Sequence, residues 1–384
     1  MRFEFATATR IIFGQGTIQE VAPLAAKMGH RAFVITGHSV ERATPLLEQL
    51  KRQRIQSVTF TIPGEPTTTM AFTGAQKARE AKSDLVIGIG GGSVLDTGKV
   101  VAALLTNSGE LVDYLEVIGG GQELASYPAP YIAIPTTAGT GTEVTRNAVL
   151  ISPEHHVKVS MRSPSMLPRV AVVDPALTLS MPPAVTASTG LDAITQLMEA
   201  YISNRANPLT DGICREGLKR AARSLLQAYE DGSSTAARED MSLASLFGGL
   251  ALANAGLGAV HGFAAPLGGM FSAPHGTICA RLIAYVMEAN VEALQIRAPT
   301  SPALARYGEV AQILTGSATA RAAHGILWMQ DLCVALRVPP LAEFGLKEAD
   351  LPNVVARSRR ASSMKGNPIE LTDRELTEIL KKAL

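Results

Sequence analysis

Four side chains with oxygen or nitrogen donors stand out because their surroundings are otherwise apolar. Residues 241–280 contain no Asp, Glu, Lys or Arg, yet they include His261 and His275. Asp192 and Gln196 are four residues apart in a run with helical spacing, so both are expected on one helix face. A carboxylate, an amide and two imidazoles are donors that a divalent metal accepts. The sequence therefore predicts a metal site, which as a catalytic site would leave a position for substrate.

The competing interpretation is that these histidines are ordinary core residues held by hydrogen bonds. The metal interpretation depends on both histidines being accompanied by the acid and the amide, and on the chain folding back between them. We expect a bend near Pro266 to return His275 towards His261.

Length, charge and cysteine content set the broad class of the protein. With 384 residues the chain is long enough to form two domains. Its 35 basic and 34 acidic residues nearly balance, so its net charge would not attract nucleic acid or an anionic membrane. Cys214, Cys279 and Cys333 are odd in number and widely spaced, which favours free structural thiols in a reducing compartment. The first residues lack the apolar core of a secretory signal. We therefore predict a cytoplasmic protein without nucleic-acid or membrane partners.

The elements that must position the donors fall into two regions. Residues 1–180 alternate strand-like and helical runs, as in a parallel sheet covered by helices, whereas residues 181–384 are rich in Ala and Leu at helical spacing. The run at 84–88 lacks polar alternation and is expected to be a central strand. The predicted strands are 31–36, 57–62, 84–88, 131–135 and 171–173, with a peripheral strand near 9–16 and helices at 40–54 and 68–81.

Two loops at predicted strand ends have the composition of an anion site. Gly90-Gly91-Gly92-Ser93 joins a strand to a helix, where free backbone N–H groups favour a phosphate or pyrophosphate. The Thr-rich loop 135–143 follows another strand, at the sheet edge where open α/β folds bind ligands. The alternatives are a tight turn for the first loop and a solvated turn for the second.

Taken in order, these motifs resemble those of the iron-containing (group III, metal-dependent) alcohol dehydrogenase family over nearly the whole chain. The shared motifs are I-I-F-G-Q-G, E-P-T, G-G-G-S-V-L-D-T-G-K, P-T-T-A-G-T-G-T-E-V-T, V-D-P-A-L-T, T-G-L-D-A-I-T-Q-L-M-E-A-Y, N-A-G-L-G-A-V-H-G, P-H-G and G-N-P. The resemblance implies a dehydroquinate synthase-like fold: an α/β amino-terminal dinucleotide-binding domain at 1–180 and an all-α carboxyl-terminal metal- and substrate-binding domain at 181–384. It also implies NAD or NADP held between the domains, and a homodimer or larger homo-oligomer.

The resemblance also assigns roles to individual positions. Asp192, His261 and His275 match three metal ligands and are the expected catalytic residues, with iron as the expected metal and zinc as the alternative. Gln196 stands where the family's second metal ligand is usually a histidine, and its amide oxygen is expected to coordinate as a weaker and harder donor than imidazole. Ala265 stands where the family often has a histidine for proton relay. The positions expected to contact the cofactor are Gly37, Ser39, Gly91, Gly92, Ser93, Asp96, Thr136, Thr137, Thr140, Lys158 and Leu177.

The implied activity is reversible hydride transfer between NAD(P) and a small alcohol, aldehyde or ketone. Gly37 occupies the place of an acid that NAD-preferring relatives use, so acceptance of NADP is expected. One alternative is a maleylacetate-reductase-like reduction of a conjugated keto acid, although the sequence around Asp192 and His261 offers no basic residues for a carboxylate. Another is a non-catalytic nucleotide-binding relative, consistent with Gln196 and Ala265.

Overall fold

The computed structural model describes residues 2–384, which form two compact units. The first, here the sheet unit, comprises Thr7–Thr137 and Gly141–Thr178. The second, the helical unit, comprises Leu179–Leu384, Ala138–Thr140 and an amino-terminal segment ending at Ala6.

The sheet unit is built on six parallel strands with helices between them. The strands are β1 (Arg10–Phe13), β2 (Arg31–Thr36), β3 (Gln56–Thr61), β4 (Leu85–Gly90), β5 (Tyr131–Pro135) and β8 (Val170–Val173), in the order β1-β8-β5-β4-β2-β3; β6 (Asn147–Ser152) and β7 (Val157–Arg162) form a separate antiparallel pair. The helices are α1 (Val21–Ala25), α2 (Thr44–Arg52), α3 (Thr68–Glu80), α4 (Gly92–Thr106) and α5 (Leu111–Tyr114).

Strand β4 is central, as the sequence predicts. It pairs with β2 on one side and β5 on the other, and all six of its residues are buried. Val86 belongs to one core cluster, whereas Leu85, Ile87 and Ile89 belong to the other. Alternate residues of a strand point to opposite faces, so an unbroken apolar run is what a strand covered on both faces requires.

The strand order places the predicted loops at one edge of the sheet. From the neighbouring strands β2 and β4, the sheet continues outwards through β3 on one side and β5 on the other. Such a reversal of strand order opens a crevice outside the carboxyl ends of the strands, where ligands bind in open α/β sheets. The segments that follow β2, β4 and β5 all lie at this edge.

Two local features differ from the sequence prediction. The helix expected over 40–54 begins as a 3-10 turn at Val40–Ala43 and becomes α-helical only in α2. The β6–β7 pair was not predicted, and its residues alternate between buried and more exposed positions. Each strand has six residues, so the alternation is short, and the pairing is local and outside the main sheet.

The helical unit packs around one long buried helix. Its helices are α6 (Pro183–Ile202), α7 (Pro208–Glu230), α8 (Thr235–Ala255), α9 (Ala259–Met270), α10 (His275–Arg297), α11 (Pro302–Thr315), α12 (Ala322–Ala335), α13 (Leu351–Ser358) and α14 (Asp373–Ala383). Helix α6 contacts α7, α8 and α10 and is buried along most of its length. Close approach to α7 requires glycine, since a Cβ on Gly217 would lie 2.6 Å from Leu197 Cδ2.

The prediction that the chain folds back at a bend near Pro266 is wrong. Helix α9 continues through Pro266 to Met270, and the chain reverses at residues 271–274 before α10 begins. Pro274 directly precedes the first turn of α10, a place where proline's fixed φ fits, so the reversal needs no kink at Pro266.

Among residues 2–384, no single helix is both long enough and apolar enough to span a membrane. Helices α8 and α9 meet both conditions only as a pair bent by 100°. Residues of both helices belong to the core of the helical unit.

Candidate metal centre and nucleotide-binding loops

Three predicted metal ligands converge in the helical unit. Asp192 lies on α6, His261 on α9 and His275 at the start of α10. Asp192 Oδ1 is 3.4 Å from His261 Nε2 and 3.9 Å from His275 Nε2. Asp192 and His261 are buried, and His275 is half-buried. Among residues 2–384, Asp192 Oδ1 finds no hydrogen-bond partner although it is buried.

Cys279 joins these residues, contrary to the expectation of a structural thiol. Its Sγ lies 3.7 Å from His275 Nε2 and 3.9 Å from His261 Nε2. One donor atom from each of Asp192, His261, His275 and Cys279 lies within 4.8 Å of the others. His275 and Cys279 are one turn apart on α10, so the spacing H-x-x-x-C is a signal that could have identified the cysteine.

The four residues Asp192, His261, His275 and Cys279 are called the donor cluster below. Gln196 is close to it, with its amide nitrogen towards Asp192. Nε2 lies 3.2 Å from Asp192 Oδ2 and 3.4 Å from the carbonyl oxygen of Thr140. Both neighbours are acceptors, which fixes the amide orientation with its NH₂ group towards them. Oε1 is buried without a hydrogen-bond partner among residues 2–384 and faces α8, where a Cβ on Gly248 would be 2.8 Å away.

Glu199 orients one of the imidazoles and was missed at the sequence level. This buried carboxylate on α6 lies with Oε2 2.7 Å from His261 Nδ1, and its Oε1 accepts a hydrogen bond from the Val260 N–H at 2.6 Å. A carboxylate at Nδ1 fixes the ring so that Nε2 points at the donor cluster. Asp192, Gln196 and Glu199 follow helical spacing, and this was the available signal.

The pKa values of the ionisable groups in the donor cluster depend on one another. Burial lowers the pKa of His261, but Cys279, Asp192 and Glu199 outweigh burial and raise it well above its usual value. Burial raises the pKa of Asp192 and of Cys279, but the two imidazoles outweigh it and lower both. The acidic groups are thus stabilised as anions by neighbouring positive charge, which protons or a bound cation can supply.

The glycine-rich loop and the Thr-rich loop meet in the sheet unit. Gly91 is the residue before α4, and within residues 2–384 no side chain caps the helix start. The first N–H groups of α4 therefore lack intrahelical partners and can bind an anion. A Cβ on Gly91 would be 3.3 Å from Thr137 Cγ2, so the two loops are in close contact. Gly92 and Ser93 begin α4, and Thr136 directly follows β5.

Comparison with known proteins decides the family. Residues 8–175 match the iron-containing alcohol dehydrogenase family, and residues 186–384 match the carboxyl-terminal region of the Fe-containing alcohol dehydrogenase family. The chain is 33% identical to alcohol dehydrogenase 4 of Saccharomyces cerevisiae over 377 residues, covering 97% of this chain and 96% of the yeast protein. This chain belongs to the iron-containing alcohol dehydrogenase family.

Solved structures agree with this assignment. A crystal structure of 1,3-propanediol oxidoreductase has a TM-score of 0.92 at 31% identity and covers 100% of both chains. The sulfoacetaldehyde reductase of Bifidobacterium kashiwanohense, solved with NAD+, has a TM-score of 0.87 at 27% identity and covers 100% of this chain and 99% of the other. The family and the fold class expected from the motifs are confirmed. The protein is an NAD(P)-dependent, metal-dependent alcohol dehydrogenase, and the comparisons do not favour the keto-acid reductase alternative.

Asp96 of this alcohol dehydrogenase is engaged by the second loop. Its Oδ1 accepts from the Thr142 hydroxyl and its Oδ2 from the Val149 N–H at 3.0 Å. The buried Lys99, whose pKa is lowered by burial, donates to Thr142 Oγ1 at 2.6 Å and to Thr145 Oγ1 at 2.7 Å. The first turns of α4 are thus fastened to the segment that follows the Thr-rich loop.

The other positions expected at the cofactor lie apart in the sequence. Gly37 and Ser39 follow β2, and the nearest atom to a Cβ built on Gly37 would be 3.9 Å away. Lys158, on β7, has its Nζ 2.7 Å from Glu65 Oε2. Leu177 is partly buried against one core cluster of the sheet unit.

Proposed function

We propose that this alcohol dehydrogenase binds a divalent metal through Asp192 Oδ1, His261 Nε2 and His275 Nε2. The observation that carries the proposal is the buried Asp192 Oδ1, which lacks a hydrogen-bond partner among residues 2–384 at the point where two imidazole nitrogens approach it. A carboxylate oxygen in such a place is costly unless a cation satisfies it. The donor chemistry fits iron or zinc.

When bound, the metal would polarise the substrate oxygen as a Lewis acid, which favours hydride transfer to or from the attached carbon. Asp192 supplies negative charge and His261 a neutral nitrogen held in direction by Glu199. Gln196 stabilises Asp192 by donating to Oδ2 at 3.2 Å. Ala265, one turn after His261 on α9, has no ionisable group, so we infer that the alcohol proton leaves through water or another residue.

We further propose that the edge of the sheet formed after β2, β4 and β5 binds the dinucleotide. Gly91, Gly92 and Ser93 would hold the pyrophosphate at the start of α4, and the hydroxyls of Thr136, Thr137 and Thr140 would line its other side. Lys158 and Leu177 would contact the ribose and base regions, and Asp96 would act by fixing α4. These assignments are supported by the start of α4, which has no side-chain cap among residues 2–384, and by the contact between the two loops.

The segment after β2 bears on the choice between NAD and NADP. Gly37 has no side chain to bond the ribose hydroxyls or to repel a 2′-phosphate, whereas Ser39, His38 and Arg42 follow within five residues. We therefore propose that NADP is accepted as well as NAD.

The substrate is proposed to be a small alcohol or its aldehyde. The relatives named as alcohol dehydrogenase and 1,3-propanediol oxidoreductase act, by name, on such molecules. We also propose a cytoplasmic location, supported by three free cysteines, and a homo-oligomer. Among residues 2–384 the outer side of β3 has no strand partner and Val58 is exposed there, so this edge is one surface that association of two copies would cover.

The direct test is reconstitution. The protein is stripped with a chelator, reloaded with ferrous iron or zinc, and assayed by reduced-nicotinamide absorbance against a panel of small alcohols and aldehydes. We expect activity only in the reloaded protein, and loss of both metal and activity in Asp192→Asn. Activity that survives complete metal removal, or its absence with every metal and substrate, would refute the proposal.

A further inference from the structure

We propose that the Cys279 thiolate is the fourth protein ligand of the metal and that Gln196 is not a ligand. This inference rests on the proposed metal site and concerns which side chains complete it. It follows from where the sulfur lies, from the orientation of the amide and from the separations between donors.

The separations suit a tetrahedral set that includes sulfur. With metal–nitrogen distances of about 2.0–2.1 Å and a metal–sulfur distance of about 2.3 Å, neighbouring donors in a tetrahedron are about 3.3–3.6 Å apart, and the pairs that include sulfur are at the upper end of that range. The observed separations from Asp192 Oδ1 are 3.4 Å to His261 and 3.9 Å to His275, and those from Cys279 Sγ are 3.7 Å to His275 and 3.9 Å to His261. Small side-chain rotations would close these gaps.

The surroundings of the sulfur agree with this role. Cys279 Sγ lies within 3.9 Å of both imidazole Nε2 atoms of the donor cluster. Cys333, by contrast, donates to the carbonyl of Ala280 at 3.3 Å, an ordinary structural contact. Cys279 is also fully buried on α10, the helix that begins with His275, so both donors move as one rigid piece.

The amide of Gln196 is poorly placed to compete. Its NH₂ group is held between two acceptors, Asp192 Oδ2 and the Thr140 carbonyl, and an amide nitrogen with two hydrogens has no lone pair to offer a metal. Turning Oε1 towards the donor cluster would break both contacts and place the oxygen beside two other oxygens. The thiol needs no such exchange.

A thiolate changes what the site selects. Soft sulfur ligands favour zinc more than amide or carboxylate oxygens do. We therefore expect this protein to retain zinc in preference to ferrous iron. Substrate would enter as a fifth ligand, a coordination number that catalytic zinc can adopt.

The experiment is X-ray absorption at the zinc edge on the full-length protein loaded with one equivalent of zinc. We expect a sulfur shell at about 2.3 Å beside the nitrogen and oxygen shell at about 2.0–2.1 Å. In Cys279→Ser the sulfur shell should disappear and zinc affinity should fall about tenfold or more. The matched control, Cys333→Ser, should keep the shell, and so should Gln196→Leu.

The outcomes separate the two proposals. Zinc bound at full occupancy with only nitrogen and oxygen neighbours would overturn the cysteine assignment, but the proposal of a metal-dependent function would stand. A sulfur shell that persists in Cys279→Ser would also overturn it. Failure of the wild-type protein to bind any metal would refute both the assignment and the proposed function.

Discussion

Replacing Glu199 with glutamine tests whether this carboxylate prepares His261 for the metal. Glu199 Oε2 lies 2.7 Å from His261 Nδ1, so a proton on Nδ1 leaves Nε2 free to coordinate. Glutamine can still accept from the Val260 N–H through its oxygen, but its NH₂ group would then face Nδ1. A ring that accepts at Nδ1 carries its proton on Nε2, which cannot bind a metal in that form.

The expected loss is one charge-assisted hydrogen bond that supports metal binding. Such a bond contributes about 1.5–3 kcal/mol, which corresponds to a roughly ten- to hundredfold weaker metal affinity. Outer-shell substitutions at metal sites have effects of this size. The assay is competition for zinc against a chromophoric chelator at fixed pH, with far-ultraviolet circular dichroism to confirm folding.

Glu288→Gln is the matched control, because it also replaces a carboxylate by an amide. Glu288 lies on α10, where it pairs with Lys382 at 2.6 Å and not with a residue of the donor cluster. It should bind zinc as the wild-type protein does. If Glu199→Gln binds zinc within twofold of wild type while remaining folded, the orienting role of Glu199 is wrong.

Three other predictions concern the sheet unit. Burial raises the pKa of Glu143 to about 7 from its ordinary 4.5. Between these two pH values the carboxyl stays protonated in the folded protein but ionises in the unfolded chain, so the folded protein loses stability as the pH rises. In urea unfolding, the stability of Glu143→Gln relative to wild type should therefore rise by up to about 3 kcal/mol between pH 5 and 8, and a pH-independent difference would contradict this. Gly37→Asp should lower the ratio of kcat/KM for NADP to that for NAD about tenfold or more by charge repulsion, and Gly37→Asn, of equal size, should not. Gly91→Ala brings a methyl group 3.3 Å from Thr137 and should raise the dinucleotide KM about tenfold, whereas Gly308→Ala, with open space around it, should not; equal KM values would argue against the loop's role.

The sequence supports the fold prediction where burial and periodicity coincide. The run at 84–88 lacks polar alternation, and its residues 85–88 lie in the fully buried β4. The Ala- and Leu-rich residues beyond Pro183 form helices because their apolar positions recur at helical spacing. The β6–β7 pair escaped prediction because a short alternating run gives a weak signal unless its partner is known.

The donor cluster was predictable in part for the same kind of reason. His261 and His275 are conspicuous in an uncharged segment, and Asp192 shares a helix face with Gln196. Cys279 lies four residues after His275, but this spacing is a weak signal because a lone cysteine in an apolar helix is more typical of a small hydrophobic core residue. Glu199 is ambiguous because a single acid in a helix usually faces solvent. Helical spacing places each of the two near a predicted donor on its own helix, and the packing of α6, α9 and α10 then brings both to the histidines.

The motif resemblance implies a ligand histidine where this chain has Gln196. If the thiolate has replaced that imidazole, then Gln196→His combined with Cys279→Ser should recover the zinc affinity that Cys279→Ser alone loses, to within a few-fold of wild type. The Gln196 side chain already packs against Gly248 on α8, with Oε1 2.8 Å from where a Cβ would stand, so glycine at 248 is what leaves room for a side chain at 196.

The same double variant should shift metal preference towards ferrous iron, since imidazole replaces a soft sulfur donor. Equilibrium dialysis of wild type and double variant against equal concentrations of both ions, kept anaerobic, measures this ratio. An unchanged ratio, or a double variant that binds metal no better than Cys279→Ser, would mean that the two positions do not exchange one ligand role. The thiol would then lie beside the metal without binding it.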